Sequence, residues 1–126
     1  MSKLTSAFLV STVAAVLAAG SAQAHSALIA STPAANATVA APSAIELHYN
    51  EKLKAKSRVE LFMTGTAGKP AGSPAQIGVV VSVGGNGKTL FAKPQKPLAR
   101  GRYLIAWHVI AADGDRTDGT VRFAVR

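Results

Sequence analysis

The chain has 126 residues, of which 48% are hydrophobic, and it carries 14 Lys and Arg against six Asp and Glu. It contains no cysteine, which excludes disulfide bonds, thiolate metal sites and dithiol redox motifs. The positive residues are spread over several segments, so we expect a dispersed solubilising charge and no nucleic-acid partner. One basic cluster surrounds a predicted strand connection and leaves open a weak attraction to an acidic partner or to anionic lipid: Lys93, Lys96, Arg100 and Arg102.

Residues 1–24 have the features of a cleaved secretory signal peptide. Lys3 precedes an apolar run over residues 4–19, and Ala22-Gln23-Ala24 forms a small-x-small cleavage site. The run is shorter than the roughly 20 residues that cross a bilayer, so we expect an exported protein without membrane insertion after cleavage. The mature protein is then residues 25–126, which is enough for one domain.

Cleavage after Ala24 makes His25 the first residue of the mature protein. Its α-amine, with a pKa of about 8, lies within chelating reach of its own imidazole Nδ1. Such nitrogen donors suit Cu(II) best among the divalent first-row ions, by softness and by the Irving–Williams order. The alternative interpretation is that His25 is simply the residue that follows the cleavage site.

The remaining sequence has a period of two, interrupted by proline and glycine, which predicts an antiparallel all-β domain. Alternation is clearest in four segments, residues 45–49, 59–63, 103–109 and 121–125. Residues 77–83 are apolar and lead through a Gly-rich turn into residues 88–92, which predicts a hairpin. Residues 64–74, with their glycines and two prolines, are predicted to be the longest loop. About seven short strands in about 100 residues predict a two-sheet, immunoglobulin-like sandwich with Greek-key connections.

The connection between the last two predicted strands contains half of the acidic residues of the chain, Asp113, Asp115 and Asp118. A turn explains them, because aspartate caps turns through its own backbone and Gly114 and Gly119 supply positive φ. Asp113 and Asp115 are two residues apart, however, so on an extended backbone their side chains would share a side and meet one cation. Both interpretations stay open on spacing alone.

Four blocks of sequence carry a family resemblance. They are His25-Ser-Ala-Leu directly after Ala-Gln-Ala, Ser31-Thr-Pro-Ala, Ile45-Glu-Leu-His-Tyr-Asn-Glu51, and Gly101-Arg-Tyr ahead of Trp107-His-Val-Ile-Ala-Ala-Asp113-Gly. In this order they resemble the CopC family of periplasmic copper-binding proteins, over essentially all of residues 25–126. The resemblance implies a cupredoxin- or immunoglobulin-like β-sandwich that binds Cu(II) at one end. It also implies a carrier or buffer in copper homeostasis or resistance, with an inner-membrane copper transporter of the CopD type as a partner.

The resemblance further implies the copper ligands, residue by residue. His25 matches the N-terminal ligand, Asp113 matches the family's aspartate, and Asp115 stands where a second histidine is usual. Glu51 matches a glutamate near the metal, and we expect it to support the ligands or to bind optionally. A carboxylate in place of an imidazole exchanges a nitrogen donor for a harder oxygen donor, so we expect a weaker and more oxygen-rich Cu(II) site.

Other residues with metal-binding chemistry are assigned ordinary roles. We predict that His48 and His108 lie on the surface, with His108 left open as a substitute for the missing ligand. Met63 fits the core alternation and no methionine-rich loop follows it, so we expect no Cu(I) site. No catalytic constellation is apparent, and we expect no enzyme. Two alternatives remain, a partner-binding sandwich that has lost its metal, and oxidative chemistry at a histidine brace, which needs a second histidine.

Overall fold

A computed structural model describes residues 26–66 and 69–126, so the predicted signal peptide and His25 lie outside the described residues. The described chain forms nine strands and no helix. In chain order the strands are β1 (Leu28–Thr32), β2 (Thr38–Val39), β3 (Ile45–Tyr49), β4 (Arg58–Thr66), β5 (Lys69–Ile77), β6 (Val79–Val83), β7 (Thr89–Pro94), β8 (Gly101–Ile110) and β9 (Arg116–Val125). Over these residues, nothing with the length and apolar character of a membrane-spanning helix is found.

The strands form two sheets, which confirms the predicted β-sandwich. One sheet has four strands in the order β1-β3-β7-β6, and the other has five in the order β2-β9-β8-β4-β5. The pairings are antiparallel except for the short β2, which runs parallel to β9. The nine strands exceed the seven expected, in part because β5 forms where a loop was predicted.

The alternating apolar positions face inward and form the core between the sheets, as predicted. Ala92 is completely buried, and so are five large aliphatic side chains, Ile45, Leu47, Leu61, Leu90 and Ile105. Fully burying such a side chain contributes about 1.5–3 kcal/mol, and this chain has no disulfide to add to that packing. Met63 is partly buried against the same core, which confirms its predicted packing role.

The prediction of a long loop over residues 64–74 is wrong. Strand β4 continues to Thr66, β5 starts at Lys69, and the two pair through Gly65 with Pro70 and Thr66 with Lys69, beyond a register shift after Met63. The prolines are accommodated because β5 is an edge strand, where a residue without an N–H need not break a ladder between two neighbours.

The apolar run over residues 77–83 is divided between the two sheets. Ile77 ends β5 in the five-stranded sheet, whereas β6 begins at Val79 in the four-stranded sheet, so the chain changes sheet at Gly78. The predicted hairpin is confirmed as β6 and β7, closed by a hydrogen bond of 2.7 Å from the Gly84 N–H to the Thr89 carbonyl.

Gly119 is required for space, not for a special backbone angle. It pairs with Trp107 across β8 and β9, and the Trp107 ring occupies the position that a Cβ at residue 119 would take. The φ of Gly119 is not positive, whereas that of Gly114 is. The predicted positive φ is therefore wrong for Gly119 and correct for Gly114. The glycine lets the Trp107 ring lie directly against β9.

We expect Gly119→Ala to lower the free energy of unfolding by about 1–3 kcal/mol, because the new methyl group overpacks against the indole. Gly85→Ala is the matched control, since the corresponding space is open and the substitution should be neutral or slightly stabilising. Urea unfolding followed by far-UV circular dichroism measures both variants. Equal midpoints for the two would contradict the steric role of Gly119.

Candidate metal centre

The first described residues are held between the end of β3 and the start of β9. The Ala27 N–H donates to Asn50 Oδ1 at 2.8 Å, and the Asn50 N–H donates to the Ala27 carbonyl at 3.2 Å. On the other side, Thr117 Oγ1 donates to the Ser26 carbonyl at 3.2 Å. These bonds fix the chain segment that directly follows His25 in sequence.

Backbone hydrogen bonds also join the segment after β3 to the acidic connection between β8 and β9. Leu53 forms an isolated antiparallel bridge with Ala111, and the Ala112 N–H donates to the Lys52 carbonyl at 2.9 Å. Glu51 and Asp113 each lie one residue beyond this last bond. One end of the sandwich therefore brings together the segments that contain Ser26, Glu51 and Asp113.

The acidic connection is a tight turn. The Ala111 N–H donates to the Asp115 carbonyl at 2.8 Å, and the Asp115 N–H donates to Asp113 Oδ1 at 2.9 Å. Gly114 has a φ of 96°, which favours glycine. The extended backbone that would have placed Asp113 and Asp115 on one side is not the arrangement found. The turn does not exhaust the Asp113 carboxylate, because an ionised carboxylate has about four acceptor sites.

Among the described residues, four buried side-chain polar atoms have no hydrogen-bond partner, and one of them is a carboxylate oxygen. They are Ser26 Oγ, Tyr49 Oη, Glu51 Oε2 and Trp107 Nε1. Buried polar groups are normally paired, and an unpaired carboxylate oxygen is the most costly of these because it can carry charge. A cation bound near Glu51 would compensate that cost. The sequence pointed to Glu51 through the family motif alone, since burial of one oxygen has no sequence signal.

Tyr49 and Tyr103 offer a comparison of an unpaired and a paired buried hydroxyl. Burial raises the pKa of Tyr49 far above its ordinary value, and its hydroxyl has no partner. The Tyr103 hydroxyl donates to the Ala99 carbonyl at 2.5 Å, although burial also raises the pKa of this group. Both side chains therefore bury a phenol hydroxyl, but only that of Tyr103 has a hydrogen-bond partner.

We expect Tyr103→Phe to lower the free energy of unfolding by about 0.5–1.5 kcal/mol, because it leaves the Ala99 carbonyl without its donor. Tyr49→Phe should leave the free energy unchanged or raise it, because it removes a hydroxyl that is buried without a partner. Urea unfolding of the metal-free protein tests both. A larger loss for Tyr49→Phe would show that its hydroxyl is paired in solution.

The two described histidines lie on the outer sides of the sheets, as predicted. His48 Nδ1 is 3.1 Å from Thr89 Oγ1, and its Nε2 is 3.2 Å from Glu46 Oε1. His108 has its Nδ1 3.0 Å from Asp118 Oδ1 and its Nε2 3.2 Å from Glu60 Oε1. The two carboxylates contact opposite edges of the His108 ring, so both ring nitrogens already have partners on the outer side of the sheet. Sequence alone did not predict the Glu60–His108–Asp118 cluster, because it depends on the register of β4, β8 and β9.

Within residues 26–66 and 69–126, no three His, Asp or Glu side chains are placed to hold a metal ion by themselves. The predicted ligand His25 lies outside this range. Of the predicted site residues, Glu51 and Asp115 are partly buried and Asp113 is exposed. The described part of the candidate centre thus consists of oxygen donors on segments that the backbone holds together.

Comparisons with known proteins agree with this architecture. The CopC domain model matches residues 28–126. The copper resistance protein C of Xanthomonas campestris pathovar juglandis is 39% identical over 115 residues, which are 90% of each chain. The protein of the same name from Escherichia coli is 36% identical over 107 residues, covering 84% of this chain and 85% of the relative.

Solved structures show the same similarity. The crystal structure of PcoC, a methionine-rich copper resistance protein from Escherichia coli, matches with a TM-score of 0.74 and 34% identity. The match covers 82% of this chain and all of the PcoC chain. The chain therefore belongs to the CopC family. It contains only two methionines, Met1 and Met63, so it does not share the methionine-rich composition for which PcoC is described.

Proposed function

We propose that this protein binds Cu(II) in the periplasm and acts as a non-enzymatic carrier or buffer in copper resistance. The observation that carries the proposal is the buried Glu51 Oε2 without a hydrogen-bond partner, at the end of the sandwich where the N-terminal segment meets the acidic turn. Membership of the CopC family and the copper resistance named for its relatives support copper as the cargo. The proposal includes cleavage after Ala24, which would start the mature protein at His25.

The proposed ligands combine two nitrogens with carboxylate oxygens. His25 is bonded to Ser26, whose carbonyl accepts from Thr117, two residues after Asp115. The amine and imidazole of His25, with Asp113 and Asp115, would complete the tetragonal N2O2 set that suits Cu(II). Glu51 would support this set or bind optionally. Exposure of Asp113 would leave the ion accessible for exchange with a partner, for which we propose a CopD-type transporter.

The non-enzymatic assignment is supported by the positions of His48 and His108. Histidine-brace chemistry needs a second imidazole beside that of the N-terminal histidine. His48 contacts Glu46 and Thr89, and His108 contacts Glu60 and Asp118. Both rings are therefore engaged by other groups, on the outer sides of the two sheets.

A competitive Cu(II) titration followed by electron paramagnetic resonance tests the proposal. The protein starting at His25 should bind one ion tightly, whereas a version with one added N-terminal residue should bind at least tenfold more weakly, because the extension removes the amine chelate. His25→Ala should give a similar loss, with an unchanged circular dichroism spectrum. Equal, weak binding by all three proteins would refute the copper-carrier proposal in favour of a metal-free, partner-binding sandwich.

Replacing Asp115 by histidine should strengthen Cu(II) binding at least tenfold, or about 1.4 kcal/mol, since an imidazole nitrogen is a better Cu(II) donor than a carboxylate oxygen. The same titration should show an additional nitrogen in the hyperfine pattern. Thr120→His is the matched control, because it places a new histidine at an exposed position farther along β9. An equal gain for both variants would mean that position 115 is not part of the site.

A further inference from the structure

Three basic side chains line a cleft beside the candidate metal centre. Lys56, Arg58 and Arg116 lie around a space of about 290 Å³, which His108 and Asp118 also border. Arg116 directly follows Asp115 in the chain. The Lys54 N–H donates to the Ile110 carbonyl at 2.7 Å, which fixes the segment leading to Lys56 against the end of β8. We call this space the basic cleft.

The positive charge of the basic cleft is not compensated within the described part of the protein. The ion pairs found there are Glu46 with His48, and Glu60 and Asp118 with His108, and each uses a histidine. Across residues 26–66 and 69–126, none of the three basic side chains of the cleft has a carboxylate partner. Asp118, the acidic residue that borders the cleft, already contacts His108 Nδ1. Three basic side chains thus line the cleft with one acidic residue, Asp118, whose contact within the lining is with His108.

The position of the basic cleft beside Asp113 and Asp115 defines the partner that it fits. A protein that exchanges Cu(II) through oxygen donors must bring its own negative charge close to these two aspartates, and like charges would repel. Basic residues beside the acidic turn offset this repulsion, and guanidinium groups hold carboxylates through paired hydrogen bonds. Complementary charge also raises the rate of encounter between the two proteins.

We propose that the basic cleft docks a carboxylate-rich segment of a protein partner that exchanges copper with this end of the sandwich. The exchange role rests on the proposed function, whereas binding of the acidic segment does not require copper. The occupant is an acidic peptide segment held by Lys56, Arg58 and Arg116. The second basic cluster, around residues 93–100, lies in a different connection and serves as a control.

The test uses the metal-free mature protein and a capped hexaglutamate peptide as the probe. In ¹⁵N-¹H correlation spectra at low salt, the peptide should shift the amide resonances of residues 56, 58 and 116. The triple variant Lys56→Gln, Arg58→Gln, Arg116→Gln should weaken binding at least tenfold. The matched variant Lys93→Gln, Lys96→Gln, Arg100→Gln removes the same charge from exposed residues and should weaken it less than twofold. Equal weakening by the two variants, or no shift at the basic cleft, would overturn the proposal.

Two further measurements separate this proposal from its competitors. Binding to vesicles containing phosphatidylglycerol that depends on the three cleft residues, without peptide binding, would overturn it in favour of a membrane surface. Cu(II) affinity of the cleft triple variant should stay within threefold of the parent, because none of the three residues is a proposed ligand. If the parent protein itself did not bind Cu(II), the proposed function would be refuted, whereas the peptide-binding result would still stand. A tenfold loss of copper affinity confined to the triple variant would contradict a docking role and indicate that these residues shape the metal centre.

Discussion

The edge-to-face contact between Tyr49 and Trp107 joins the two sheets next to the candidate metal centre. Their ring centroids are 5.3 Å apart at an angle of 76°, and the side chains are only 2% and 7% exposed. In a chain without cysteine, packing of this kind must hold the sheets in place. Tyr49 is followed directly by Asn50 and Glu51, and Trp107 lies on the strand that leads into the acidic turn. The contact therefore fixes the starting points of both segments that form the centre.

Beyond these two aromatic residues, backbone hydrogen bonds hold the two segments in place. The bond between Ala112 and Lys52 joins the two segments, and the bond between Ala111 and Asp115 closes the turn. The main chain of the centre is thus fixed without using the carboxylate of Glu51. This division of roles would suit the proposed carrier, because a carboxylate oxygen without a partner in the fold could bind and release an ion without local unfolding. The observation that supports this division of roles is that Glu51 Oε2 is buried without a hydrogen-bond partner.

The sequence predicted the parts of the fold that depend on side-chain alternation. In β3 and β8, burial alternates residue by residue as the apolar pattern required. The prediction failed for residues 64–74. Proline argues against a strand where the backbone N–H must bond to a neighbouring strand, but an edge strand such as β5 has a neighbour on one side only. The prediction also missed the change of sheet at Gly78, since a continuous apolar run does not specify which sheet each half joins. For the candidate centre, the family motif selected Glu51, Asp113 and Asp115, but the turn at Gly114 and the buried oxygen of Glu51 depend on tertiary contacts.

The distribution of charge explains how a strongly basic protein can offer a site for a cation. Of its six acidic residues, Glu46, Glu60 and Asp118 contact histidines on the outer faces of the sheets. The other three, Glu51, Asp113 and Asp115, lie on the two segments that meet at one end of the sandwich. A divalent ion approaching a chain of formal charge +8 is repelled overall, so the proposed site requires a local negative charge at this end that opposes the charge of the whole protein. The basic cleft lies beside the same end, so the sign of the local charge changes from negative to positive over a short distance. The acidic turn and the basic cleft therefore lie side by side with opposite charge, which would give the proposed copper ion and the proposed acidic partner separate places to bind.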